Sequence, residues 1–146
     1  MTNLYTIGFT QTKARDFFDT LKKNNIKTLI DTRINNNSQL AGFSKKEDLK
    51  YFLQEICSIS YIHKIELAPT KELLTAYKSG KINWEAYEGE FKKLIEKREI
   101  EKKLPLELLD HSCLLCSEKK PHFCHRRLVA EYLKDKTGSE IQIKHL

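Results

Sequence analysis

The feature that most constrains this chain is an alternation. Five short β-rich runs, at residues 4–8, 27–31, 60–63, 112–116 and 140–145, are separated by segments whose apolar residues recur at helical spacing. Ala14, Phe17, Phe18 and Leu21 share one face of a helix expected over 14–24. Ser44 followed by Glu47 reads as a capping box, opening a helix to Cys57 that turns Leu49, Phe52, Leu53 and Ile56 inward. Residues 70–79 read as a helix stopped by Gly80. Asn83 caps the next helix, which carries Trp84, Tyr87, Phe91, Leu94 and Ile95 as far as Lys102 and is broken by Pro105. A last helix spans 125–136 and ends at Gly138. The fourth β run, Ser112-Cys113-Leu114-Leu115-Cys116, is apolar enough for both faces to be covered, which suits the middle of a sheet. Together these predict an α/β fold, a single three-layer domain over residues 1–146. Its sheet is mainly parallel, with five strands and helices on both faces.

A chain of 146 residues can bury one sizeable core. With 40% hydrophobic and 32% charged residues it fits neither a disordered tail nor a fibre. No apolar run approaches the ~18 residues of a membrane helix, so no membrane partner is expected. Met1-Thr2-Asn3-Leu4-Tyr5 has no export signal, so the four cysteines are expected as reduced thiols of a cytoplasmic protein. The net charge is +6, and the residues from Ser117 onward carry +3 of it, seven basic against four acidic. Five arginines stand against 21 lysines, so each arginine invites a specific reading. The stretch Lys92-Lys93, Lys97-Arg98, Lys102-Lys103 is interrupted by Glu96, Glu99 and Glu101 and reads as a solvated helix face.

Ligands of open parallel sheets bind outside the carboxyl ends of the strands. The residues at those ends are Gly8-Phe9-Thr10, Asp31-Thr32-Arg33, His63-Lys64 and Cys116-Ser117-Glu118, and they are expected on one rim. The densest chemistry leaves the fourth strand at Cys116, crosses a loop through Glu118, Lys119, Lys120, Pro121 and His122, and enters a helix at Cys124-His125-Arg126. Unpaired N–H groups at a helix start favour an anion and a thiolate, and an arginine in its first turn adds a phosphate-binding fork.

Five features resemble a known family. They are Tyr5-Thr6-Ile7-Gly8; Asp31-x-Arg33 followed by Ser38; Tyr61-x-His63; Trp84-x-x-Tyr87; and Leu114-Leu115-Cys116-x-Glu118-x-x-Pro121-x-x-Cys124-His125-Arg126. Together they are similar to domain-of-unknown-function family 488, over nearly the whole chain. The resemblance implies a cytoplasmic α/β domain and brings no settled activity. The chain departs from the family's pattern at Ile34-Asn35-Asn36-Asn37, where a proline is usual, and at Leu67-Ala68-Pro69, where Leu-Gly-Gly is usual. Both departures fall in rim loops.

The clustered residues carry alternative readings. Cys116 is a nucleophile or a small buried residue. Its setting is similar to the layout of sulfurtransferases and cysteine phosphatases, although the phosphatase pattern wants arginine at position 122, which is His122. Cys113, Cys116, Cys124 and His125 are zinc-type ligands, but Leu114-Leu115 reads as strand and points Cys113 and Cys116 to opposite faces. Zinc on a subset with His111 or His122 stays open, as does a Cys116–Cys124 redox pair. Arg33 clamps an anion with Arg126 or pairs with Asp31 to order its loop. Glu118 is a proton-transfer carboxylate or a brace to Arg126 or Lys119, and His125 is a general acid/base or a cap-region hydrogen bonder. Trp84 and Tyr87 pack on a helix face or stack a base or sugar at the rim.

The expected function is a small enzyme acting on an anionic, phosphate-bearing substrate such as a nucleotide or nucleic acid. Cys116, Glu118 and His125 are its catalytic candidates. Arg33, Asp31, Cys124, Arg126 and His63 are its substrate-binding candidates. No cofactor is expected. The alternatives are a non-catalytic module for anions or nucleic acid with structural cysteines, and third a zinc protein.

Overall fold

The structure is a computed structural model that describes residues 1–35, 42–118, 121–138 and 140–146. Five strands form one fully parallel sheet, β1 (Thr2–Gly8), β2 (Thr28–Asp31), β3 (Ser60–His63), β4 (Ser112–Cys116) and β5 (Ile141–His145). Their order is β3-β2-β4-β1-β5. Among the described residues six α-helices cover it, α1 (Ala14–Lys23), α2 (Lys46–Phe52), α3 (Lys71–Lys78), α4 (Trp84–Lys97), α5 (Leu106–Leu109) and α6 (His125–Lys136). This is the three-layer α/β architecture expected from the alternation. No helix among the described residues is long and apolar enough to cross a membrane.

β4 lies in the middle, and all five of its residues are buried. Its alternating side chains feed two cores. Cys113 and Leu115 join Phe17, Phe18, Leu21, Leu49 and Leu53 on the α1–α2 side. Leu114 joins Tyr87, Phe91, Ile95, Leu128 and Leu133 on the α4–α6 side. The chain therefore leaves β1 toward one face and β4 toward the other. Adjacent strands that part in this way open a crevice at their carboxyl ends. Register aligns those ends, with Gly8 opposite Cys116, Asp31 opposite Leu115, and His63 opposite Asp31.

Three local expectations change. Lys45, not Ser44, is the N-cap of α2, and its side chain makes no capping bond. Ser44 instead lies in a 3-10 turn, where its carbonyl accepts from Nη2 of Arg33 at 2.8 Å. The α2 helix continues to Cys57 only as one wide π turn, Leu53–Cys57, stopped by Ser58 at φ 55°. The α4 helix ends five residues early, at Lys97. Glu99 adopts φ 50°, and a 3-10 turn then carries Ile100 and Leu104 into the core. Pro105 ends that segment and also caps α5, a helix the periodicity did not show. Burial of Ile100, Leu104 and Leu109 outweighs the helical pattern that runs on to Lys102.

Candidate functional site

The loop after β4 is pinned before it reaches the last helix. The Ser117 carbonyl accepts from the backbone N–H groups of Phe9 at 3.4 Å and Thr10 at 3.1 Å, and from the Thr10 hydroxyl at 2.5 Å. Nη1 of Arg126 donates to the Glu118 carbonyl. Gly8 makes room for this. A Cβ there would collide with the Glu118 carbonyl and come within 3.0 Å of Arg126 Nη1. The Tyr5-Thr6-Ile7-Gly8 signature thus ends in glycine because the Cys116 loop crosses directly over it. Pinned in this way, the Ser117 and Glu118 N–H groups face the Cys116 sulfur.

Cys116, Cys124 and His125 are buried and present their ligating atoms within 4.8 Å of one another. The sulfur of Cys116 lies 3.6 Å from Nδ1 of His125. The other ring nitrogen, Nε2, is 2.8 Å from the Thr32 carbonyl and 3.1 Å from the Thr32 hydroxyl. A carbonyl can only accept, so Nε2 carries the proton. The Thr32 hydroxyl spends its own hydrogen on the Leu115 carbonyl at 2.7 Å and is therefore an acceptor too. Both contacts fix one tautomer, with the bare lone pair of Nδ1 toward the thiol.

Burial alone would raise the Cys116 thiol. The S–H of Cys124, the Arg126 charge and the Glu118 and Ser117 N–H groups outweigh it, so Cys116 ionises below the ordinary thiol range. Burial and the bond to Cys116 push Cys124 well upward. Of the two, Cys116 is the thiol that ionises first, and Cys124 is the S–H donor to it. Burial also raises Cys113 and Cys57.

A second network holds Thr32. Asp31, fully buried, takes Nε and Nη2 of Arg33 at 2.9 and 2.8 Å, the Arg33 N–H at 3.1 Å and the Tyr61 hydroxyl at 2.5 Å. His63 donates from Nε2 to the Arg33 carbonyl at 2.7 Å. The Asp31-x-Arg33 and Tyr61-x-His63 signatures thus meet around the residue that orients His125.

The model of one family, described as a domain of unknown function, DUF488, matches residues 13–133. The chain belongs to the DUF488 family. No curated protein and no solved structure matches the chain.

In this DUF488 chain a cavity of about 260 Å³ opens over Cys116, Cys124 and His125. Arg33, Ser117 and Glu118 border it at the sheet end, and Tyr77, Trp84, Tyr87 and Phe123 wall it. Asp31, His63 and Arg126 support the site from behind and do not line the cavity. Arg33 is bidentate on Asp31, while its Nη1 is buried without an acceptor among the described residues. Glu118 is exposed at the rim. Cys113 faces the opposite core, as the strand reading requires. Ile34, Asn35 and Pro69, from the two segments that depart from the family's pattern, also line the cavity. Ser38, Lys119 and Lys120 lie outside the described residues.

Sequence reasoning missed Thr32, Tyr77 and Phe123 as site residues. Thr32 sits between two residues it did single out, which was a usable signal. Tyr77 and Phe123 carried none, because only the packing of α3 against α4 and of the Pro121–Cys124 turn against Trp84 brings them in.

Proposed function

We propose that the protein is a thiol-dependent enzyme for an anionic substrate, with Cys116 as nucleophile and His125 as its proton partner. The observation that carries this reading is the fixed His125 tautomer with Nδ1 at 3.6 Å from the Cys116 sulfur. A nucleophile, a base in reach and a third group orienting the base are the arrangement that nucleophilic catalysis requires. Nδ1 takes the Cys116 proton, the thiolate bonds to an electrophilic centre of the substrate, and the imidazolium returns that proton to the departing group. Water or another nucleophile then displaces the thiolate. Arg33 borders the cavity with Nη1 buried, so its charge favours an anion there, and Glu118 is a further carboxylate at the rim.

Iodoacetamide labelling followed by peptide mass spectrometry tests this. Cys116 is expected to be alkylated first near neutral pH, more slowly in His125→Gln, and to be protected by inorganic phosphate. Inert Cys116 in a folded protein would overturn the reading.

One observation favours a second reading. A tetrahedral zinc with bonds of about 2.3 Å to sulfur and about 2.0–2.1 Å to nitrogen sets the two atoms about 3.6 Å apart. The Cys116–His125 separation is 3.6 Å. With Cys124 they would make a three-ligand site whose open position faces the cavity. Elemental analysis of freshly purified protein decides this. Stoichiometric zinc that shields Cys116 from alkylation would replace the nucleophile reading.

A further inference from the structure

The cavity has an aromatic wall that the thiol chemistry does not use. Trp84 stacks on Tyr87 with ring centroids 5.1 Å apart and 27° between planes. Tyr77 lies 5.5 Å from Trp84, and Phe123 meets Trp84 edge-on at 5.4 Å. Tyr87 continues inward to Phe91, whose ring lies 5.5 Å from His125. Phe123 remains 61% exposed although it is apolar and large. Close to this wall, the cavity is bordered by Arg33 and Lys78 as cations and Glu118 as the carboxylate. Arg33 is 3% exposed, and its Nη1 has no acceptor among the described residues. The guanidinium also faces the Phe9 ring at 5.2 Å, and its incompletely paired charge favours an anion in the cavity beside it.

We infer that the cavity binds one nucleotide unit, a planar heteroaromatic ring laid against Tyr77, Trp84 and Phe123 and carrying a phosphate that meets Arg33 and Lys78. This inference rests on the thiol-enzyme reading for what happens next, and it names the substrate class of the same site. Base–aromatic stacking supplies affinity with little dependence on base identity. The cationic pair supplies the preference for a charged over a neutral ring compound. A volume of about 260 Å³ lies near the lower end of the range of small-molecule sites, about 300–1,000 Å³, which suits a ligand of this size. The unit comes either from a free mononucleotide or from the end or an unstacked position of a strand.

The sole tryptophan reports occupancy directly. Fluorescence and calorimetric titrations would use AMP, UMP, adenosine, ribose 5-phosphate and a single-stranded oligonucleotide. At least one mononucleotide is expected to quench Trp84 saturably and to bind at least ~tenfold more tightly than adenosine or ribose 5-phosphate. Lys78→Ala, on the exposed side of α3, should weaken the mononucleotide and leave adenosine unchanged. Arg33→Lys should do the same if it folds. An oligonucleotide that quenches Trp84 and is displaced by the mononucleotide supports the inference with a strand as source. Ribose 5-phosphate binding as tightly as the nucleotides, or an oligonucleotide that binds without quenching or competition, overturns it, as does a set of probes that leaves Trp84 untouched. Alkylation of Cys116 without ligand, run in parallel, separates the two failures. A fast thiol with no nucleotide binding sinks this inference alone, and a slow thiol with tight nucleotide binding sinks the enzyme reading alone.

Discussion

The Thr32 carbonyl, 2.8 Å from Nε2 of His125, decides which nitrogen of the ring confronts Cys116. Thr32 is fully buried at the end of β2, while His125 opens α6. Two elements far apart in sequence therefore fix the tautomer of one ring, through a backbone group that substitution of Thr32 cannot remove.

Cys116 ionises below the ordinary thiol range, whereas Cys57, Cys113 and Cys124 ionise above it. Its thiolate therefore persists to lower pH than that of any other cysteine here. The pH profile of iodoacetamide labelling should reach half its maximum below pH 9.0, the ordinary value, at Cys116 alone. Labelling of Cys124 ahead of Cys116 would contradict the assignment of thiolate and donor.

Removal of the Arg126 charge should move that profile upward. Arg126 is fully buried, lies in the field of Cys116 and holds the Glu118 carbonyl. Arg126→Met keeps much of the volume and loses the charge. Its Cys116 midpoint should rise, with circular dichroism confirming that the fold survives. An unmoved midpoint in a folded variant would show that the backbone N–H groups and Cys124 suffice.

Gly8→Ala is a test of the loop crossing. The added methyl meets the Glu118 carbonyl and Arg126 Nη1, so the loop must shift at a cost of about 1–3 kcal/mol in urea unfolding. Gly89→Ala, inside α4 with nothing within 4 Å, is the control and should stabilise by about 0.5–1 kcal/mol.

Asp31→Ala leaves the buried Arg33 guanidinium without its bidentate partner, and loss of one partner of such a pair costs about 3–5 kcal/mol. Tyr61→Phe removes the hydrogen bond to the same carboxylate and should cost less, about 1.5–3 kcal/mol for a bond to a charged group. Equal losses from both would deny Asp31 its place at the centre of the network.

Alkali should destabilise the protein. Burial raises Tyr87, Cys57 and Cys113, burial and Cys116 raise Cys124, and burial and Glu101 raise Tyr132. Each group keeps its proton in the fold after the unfolded chain has released it. Their contribution is complete below the unfolded values and is lost as pH rises above about 9–10. Cys116 opposes this with a depressed folded value, so its contribution is present above the unfolded thiol value and fades as pH falls through its lower folded one. With five thiol and phenol groups against one, the urea midpoint should fall between about pH 8 and about pH 11.

Most of the fold could be read from periodicity, because buried faces repeat with the period of their element. The rim could be read as well, since parallel strands with aligned ends must gather the residues that follow them. The arrangement within the rim was less accessible. Arg33 offered a clamp and an Asp31 ion pair equally, and only the spacing between β2 and the Gly42–Ser44 turn shows the guanidinium joined to both Asp31 and Ser44. Trp84 and Tyr87 one turn apart looked alike as packing and as a binding wall. In the fold Tyr87 is buried packing while Trp84 remains half-buried, and both line the cavity.

β4 is flanked by neighbours on both sides and carries two sulfurs in different surroundings. Cys116 can be reached from the cavity without disturbing the sheet. Cys113 becomes reachable only after the sheet has come apart. One labelling time course thus holds two clocks on a single strand, a fast one that reads the chemistry of the rim and a slow one that counts how often the whole molecule opens.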